Sequence, residues 1–363
     1  MQVSHHGCDV TVDLPHARPT GSSEYKSTQG RAASFRGRQL TAFVMTLLAG
    51  LAAAVLIWYP FSTVSVEPVL WLRTAISAMP MVLLWVALGA MRYQLRKTPF
   101  RYRDMLSDVA SRLQSLIVML SVITLFSIEL LLLSYLATAT SRPLMDVYLA
   151  AGDAALGFDW VAYVGRLNEH PWIALVLSCA YFSLKIQFLL LPAILALTAR
   201  PGRLKEFAAH FGLAGCLTCL IMIAVPAAGT FDFYHPSPEL LSSFGPGASA
   251  RHLEQLHALR MLKPFLIQNP DGLVTFPSFH SALAAIFVYS VRGIRYVAPP
   301  VYLLNAMLIL AALPEGGHYL VDILAGFAVA AVSIQTVHLI AKRKTLQQTG
   351  YEDAQSSGAE TRA

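Results

Sequence analysis

Two short histidine motifs carry the chemistry this sequence offers. The first is Phe276-Pro-Ser-Phe-His280-Ser-Ala282, and the second is Pro314-Glu-Gly-Gly-His318-Tyr-Leu-Val-Asp322. In the second, a spacing of four places His318 and Asp322 on one helical face. A carboxylate that accepts a hydrogen bond from one ring nitrogen fixes the imidazole tautomer and leaves the other nitrogen as a nucleophile or base. In the first, Pro277 suits the opening turn of a helix. The unpaired N–H groups and positive dipole end there form an anion site, with Ser278 and His280 beside it. Together these groups make an inventory for phosphoryl transfer: a nucleophile, an orienting acid, a proton donor and a cradle for charge.

The elements that must position these residues are membrane helices. Hydrophobic residues make up 55% and charged residues 13% of 363 positions, against about 25% charged in soluble domains. Eight apolar stretches approach the roughly 20 residues that cross a bilayer: 39–58, 69–91, 113–137, 172–198, 208–229, 277–292, 296–313 and 319–341. The expected fold class is therefore an all-α integral membrane protein of about eight transmembrane helices. Disordered cytoplasmic tails are expected over 1–37 and 345–363, with two additional helices over 38–92 and a six-helix domain over 110–341. The net charge of +6 resides in clusters between apolar runs, for example Arg92, Arg96 and Lys97, or Arg200, Arg203 and Lys205. These clusters read as topology signals rather than a nucleic-acid surface. With eight spans they all fall on one side, the expected cytoplasm, together with both termini. The sixth and eighth spans then run in the same direction, and His280 and His318 lie at similar depth on the opposite side.

Other residues have plainer readings. Cys216 and Cys219 have CxxC spacing inside an apolar run without a second cluster, which is the pattern of core packing rather than of a metal site. Asp146, Asp153 and Asp159 read as loop or capping residues, and 138–171 as carrying a helix along the membrane face. Glu129 and Lys185 lie within spans, are costly in lipid unless they face protein or water, and are candidates to pair with each other. An alternative reading is a polytopic transporter or channel with structural histidines, but no inverted repeat or matched pair of broken helices supports it.

Pro-Ser-Phe-His280 and His318-Tyr-Leu-Val-Asp322 resemble the second and third signature motifs of the type 2 phosphatidic acid phosphatase superfamily. The chain is most similar to the inositol phosphorylceramide synthase-like branch, through Phe-Pro-Ser-Phe-His280, Gly-Gly-His318-Tyr-Leu-Val-Asp322, Leu156-Gly-Phe-Asp-Trp160, Tyr181 and Gln187. The similarity covers roughly residues 110–340. The resemblance implies a phosphoester enzyme working without a metal or other cofactor. In it His318 would attack phosphorus, Asp322 would orient His318 and His280 would protonate the leaving oxygen. The implied substrate is a phospholipid or lipid-linked phosphate and the acceptor is water or a hydroxyl; the basic-cluster topology puts the site on the extracytoplasmic side, and the expected location is the plasma membrane. The chain departs from the family pattern at Ala312, where an arginine is usual, at Ala311 for a serine, and at Phe279 for a glycine. Replacement charge for the phosphate is sought at Arg260, then Lys263, then Arg251, beside Ser278.

Overall fold

The computed structural model of the chain describes residues 21–198, 200–244 and 248–342. In chain order the elements are α1 (Gly21–Trp58), β1 (Val64–Val66), α2 (Pro68–Lys97), α3 (Arg103–Thr138), α4 (Asp146–Ala155), α5 (Trp160–Asn168), α6 (Pro171–Phe182), α7 (Leu184–Leu197), α8 (Pro201–Ala224), α9 (Thr230–Tyr234), α10 (Ala248–Arg260), β2 (Phe265–Ile267), α11 (Phe279–Ser290), α12 (Ala298–Glu315) and α13 (Leu320–Lys342). Proline opens α2, α6 and α8, at the position where its missing N–H and fixed φ suit a first turn.

Each expected apolar stretch is helical over most of its length. Among the described residues, six helices are long and apolar enough to cross a membrane: Phe35–Phe61, Pro68–Lys97, Arg103–Thr138, Gly202–Ala224, Ala298–Glu315 and Leu320–Lys342. α6 and α7 make a seventh span if taken together, bent by 50° at Ser183. α11 has only 12 residues, about 18 Å of helix against a hydrocarbon core of about 30 Å.

The chain is mostly helical, consistent with the expected all-α membrane protein, and β1 and β2 add a short parallel pair with Ser65 opposite Leu266. This pair ties the α1–α2 connection to the segment leading into α11. α1 begins at Gly21, inside the expected tail, where residues 21–38 contain no proline to stop a helix extending from the apolar run. The rest of that tail and 345–363 lie outside the described residues.

The main core is built by α1, α3, α7, α8, α11 and α13. Phe126, Phe207, Phe211 and Phe287 are fully buried there or nearly so, with Phe126 and Phe211 edge to face at 6.3 Å. Helices in lipid gain little from the hydrophobic effect and associate through close packing. α11 and α13 show this at Gly326, where a Cβ would stand 2.0 Å from Ser281 Oγ and 2.3 Å from the Ser278 carbonyl oxygen.

Contacts define the two ends of the bundle. At one end Glu206, in the first turns of α8, pairs with Arg36 at 2.6 Å and with Arg292, after α11, at 3.2 Å. At the other end the chain leaving α8 meets the α12–α13 loop, where the Thr230 N–H donates to the Gly317 carbonyl at 2.9 Å. The N-termini of α11 and α13 lie at this second end, and so do both histidine motifs.

Candidate active site

His318 does not sit on a helix. It lies in the loop between α12 and α13, two residues before α13 begins. Gly317 turns the chain there with φ +62°, and a Cβ on it would stand 2.5 Å from Phe231 Cδ2. The spacing of four still brings the pair together, because the Asp322 side chain folds back over the first turn of α13. Its Oδ2 lies 3.2 Å from His318 Nδ1 and accepts from the Tyr319 N–H at 2.9 Å. His318 is 1% exposed and Asp322 0%. Burial pushes the His318 imidazole down to about 4, against the Thr275 carbonyl, which raises it. His318 is therefore neutral at pH 7.

Two aspartates far away in sequence hold this loop. Asp153, in α4, accepts from the N–H groups of Leu320 and Val321, each at 2.9 Å, and so caps α13. Asp146 accepts from the N–H groups of Ala228 and Gly229, at 3.0 and 2.8 Å, and from the Tyr319 hydroxyl at 3.0 Å. Trp160 adds an indole N–H donated to the Leu313 carbonyl at 3.0 Å. Asp153 thus caps an element 167 positions downstream, and Asp146 holds backbone N–H groups 82 and 83 positions downstream. Only Asp159 caps its own helix, through Ala162 N–H. Sequence spacing holds no signal for such long-range partners.

His280 occupies the first turn of α11, with its ring centroid 5.8 Å from that of His318. Tyr181, at the end of α6, stacks on His280 at 4.7 Å with 24° between planes. Both histidines line a cavity of about 310 Å³ together with Tyr181, Lys185, His252, Asp271 and Glu315. Glu315 is hydrogen-bonded by Ser178.

The other expected residues are placed differently. Pro277 precedes the N-cap rather than opening the helix, after a cis Phe276–Pro277 bond. Ser278 is the N-cap of α11, with Oγ accepting from the Ser281 N–H at 3.4 Å and its own N–H donating to the Asp322 carbonyl. It is fully buried against α13 and does not line the cavity. At the start of α13 the Leu320 and Val321 N–H groups are taken by Asp153, and at the start of α11 the Ser281 N–H meets Ser278 Oγ. Arg260 and Lys263 are also outside the cavity lining. α10 ends at Arg260 and the chain turns at Leu262, with φ +56°. Arg260 Nη2 then donates to the Arg142 carbonyl at 2.8 Å, while Lys263 is exposed. The side chain of Arg251 lies outside the described residues.

Lys185 is the lysine that does reach the cavity. It stands in the first turn of α7, just past the bend at Ser183, and lines both this cavity and a groove of about 400 Å³ between α3 and α7. No ion pair joins it to Glu129 among the described residues, and Glu129 Oε2 is buried without a partner. Gln187 instead accepts from Asn305 at 2.7 Å, tying α7 to α12.

A sequence model of the PAP2 superfamily matches residues 147–336, more than half of the chain. The chain belongs to the PAP2 superfamily. None of the curated proteins and none of the solved structures compared matches it. Membership suggests a phosphatase- or phosphotransferase-type enzyme acting on lipid or phosphate substrates in a membrane. The matched stretch includes both histidine motifs and begins within α4, so α1, α2 and α3 lie outside it.

Proposed function

We propose that the chain transfers or hydrolyses the phosphoryl-bearing head group of a membrane lipid through a phosphohistidine at His318. The observation that carries this reading is the convergence of His318, oriented by Asp322, with His280 and Lys185 on one cavity. The Nδ1 proton of His318 is directed at Asp322, which leaves Nε2 to attack phosphorus. As the N–P bond forms, the P–O bond to the leaving group breaks, and His280 gives its proton to the departing oxygen. Water or an alcohol then attacks the phosphohistidine. His280 takes the proton of that nucleophile, and His318 is regenerated with the transferred group on the acceptor. Lys185 supplies the charge for the phosphate oxygens that Ala312 lacks, replacing the roles first sought at Arg260, Lys263 and Ser278. Stacking on Tyr181 holds the His280 ring in plane.

The groove between α3 and α7, which shares Lys185 with the cavity, favours a lipid substrate whose chains stay in the bilayer. Resemblance to the inositol phosphorylceramide synthase-like branch favours transfer to a hydroxyl over hydrolysis. The accompanying topology is eight spans, with α6–α7 and α11 each counted as one. The basic clusters and both termini face the cytoplasm, and the site faces outward from the plasma membrane.

The test is turnover by the purified protein in detergent, using a panel of phospholipids with and without alcohol acceptors, in EDTA. Turnover that His318→Ala abolishes, with the head group appearing on the alcohol, supports transfer. Free phosphate or phospho-head group instead supports hydrolysis. Unchanged turnover in a folded His318→Ala protein defeats the assignment.

A further inference from the structure

A second cavity lies at the end of the bundle opposite the histidines, between α1, α2, α3 and α8, with a volume of about 350 Å³. That is within the size range of small-molecule sites. Most of its wall is apolar, including Met45, Trp85 and Val118, but one end is basic, with Arg92 from α2 and Lys205 from α8. These cations differ from their neighbours. Arg36 and Arg292 share Glu206, and Arg112 pairs with Asp108. Arg92 instead donates from Nη1 to Gln114 at 2.7 Å, and its Nε is buried with no partner. Lys205 donates to the Gly37 carbonyl at 3.3 Å. Among the described residues neither meets a carboxylate. A buried N–H of a charged group left without a partner is costly and favours an anionic acceptor. Two uncompensated cations over an apolar slot fit an amphiphile with an anionic head.

α2 also leaves its packing incomplete. None of its residues is buried, and Trp85 is 44% exposed. Its walls from α1, α2 and α3 lie outside the PAP2 match, which takes in only the α8 side with Leu204, Lys205 and Ala208.

We propose that this cavity binds an anionic phospholipid of the leaflet opposite the catalytic site, with its phosphate between Arg92 and Lys205 and one acyl chain between α2 and α3. The lipid completes the packing of α2 and supplies the missing counter-charge. The proposal does not depend on the catalytic reading.

The experiment is native mass spectrometry of the full chain in detergent, titrated with dioleoyl phosphatidylglycerol or dioleoyl phosphatidylcholine. The wild type is expected to hold one equivalent of phosphatidylglycerol at least tenfold more tightly than phosphatidylcholine. The double variant Arg92→Gln, Lys205→Gln should lose that preference. Val118→Trp, which fills the slot and leaves both charges in place, should lose the tight equivalent altogether. Equal affinity for the two lipids in the wild type overturns the proposal. So does an undiminished tight equivalent in Val118→Trp protein that elutes as a single species.

Discussion

Replacing Asp153 tests whether the active loop is held from a distance. Its carboxylate is 0% exposed and accepts two N–H groups at the start of α13, each at 2.9 Å. Losing an N-cap typically costs about 1 kcal/mol, and each buried donor left unpaired costs on the order of 1–3 kcal/mol. Asp153→Ala is therefore expected to destabilise by about 2–6 kcal/mol. Burial pushes the Asp153 carboxyl above its ordinary value, against the two N–H groups that lower it. Charge is thus not what makes it useful there; the acceptor oxygens are. Asp153→Asn keeps one acceptor and removes the desolvated charge, so it should lose less than half as much. The release of Leu320 and Val321 also frees the loop that carries His318, and kcat should fall roughly 100-fold, as it does when reacting groups are misplaced by about an ångström. Stability is read from denaturant unfolding in detergent micelles, and kcat from head-group turnover. The reasoning is refuted if Asp153→Ala unfolds and turns over like the wild type, or if the asparagine variant is the worse of the two.

Further outcomes follow from the same geometry. Gly317→Ala forces a Cβ into the left-handed region and against Phe231. It should cost about 1–2 kcal/mol for the backbone alone and most of the activity, and adding Phe231→Ala should restore only part, in the same unfolding and turnover assays. Because His318 is lowered to about 4, its nucleophilic form persists well below the ordinary histidine range. The acid limb of kcat/KM assigned to it should lie near pH 4, and a limb near 6.5 would contradict the burial. The sign for stability is the same. Between about 4 and 6.5 the unfolded chain binds the proton and the native site does not, so stability is full above that window and falls as pH drops through it. Asp322→Asn should keep lipid binding but lower kcat by roughly two to four orders of magnitude through the wrong tautomer. Lys185→Gln should raise KM for a lipid phosphate about tenfold or more, and Lys185→Arg should recover part of it. An unchanged KM in both would remove Lys185 from the phosphate site.

The membrane architecture was legible because lipid demands long runs of apolar residues, and lysine and arginine punctuate those runs. The bend at Ser183 and the short α11 were not legible, since hydropathy measures length and not direction. The His318–Asp322 contact followed from local spacing, although the helix starts two residues later than that argument assumed. What lay beyond sequence reasoning was everything set by chain segments that meet only after folding. Asp153 caps a helix 167 residues away. Arg260 turns to the Arg142 carbonyl and Lys263 is exposed, both outside the cavity lining, and the end of α6 lays Tyr181 on His280. Lys185 was visible as a costly intramembrane charge, but the partner suggested for it, Glu129, proved to be elsewhere.

The central claim is tested most directly by trapping the covalent intermediate. The purified protein is mixed with a lipid phosphoester labelled with radioactive phosphorus, quenched within the first turnover, and mapped by peptide. The account predicts acid-labile, base-stable label on the peptide carrying His318, retained in Lys185→Gln at saturating lipid and absent from His318→Gln. Turnover that proceeds without any label on that peptide, and that survives His318→Gln, would contradict it.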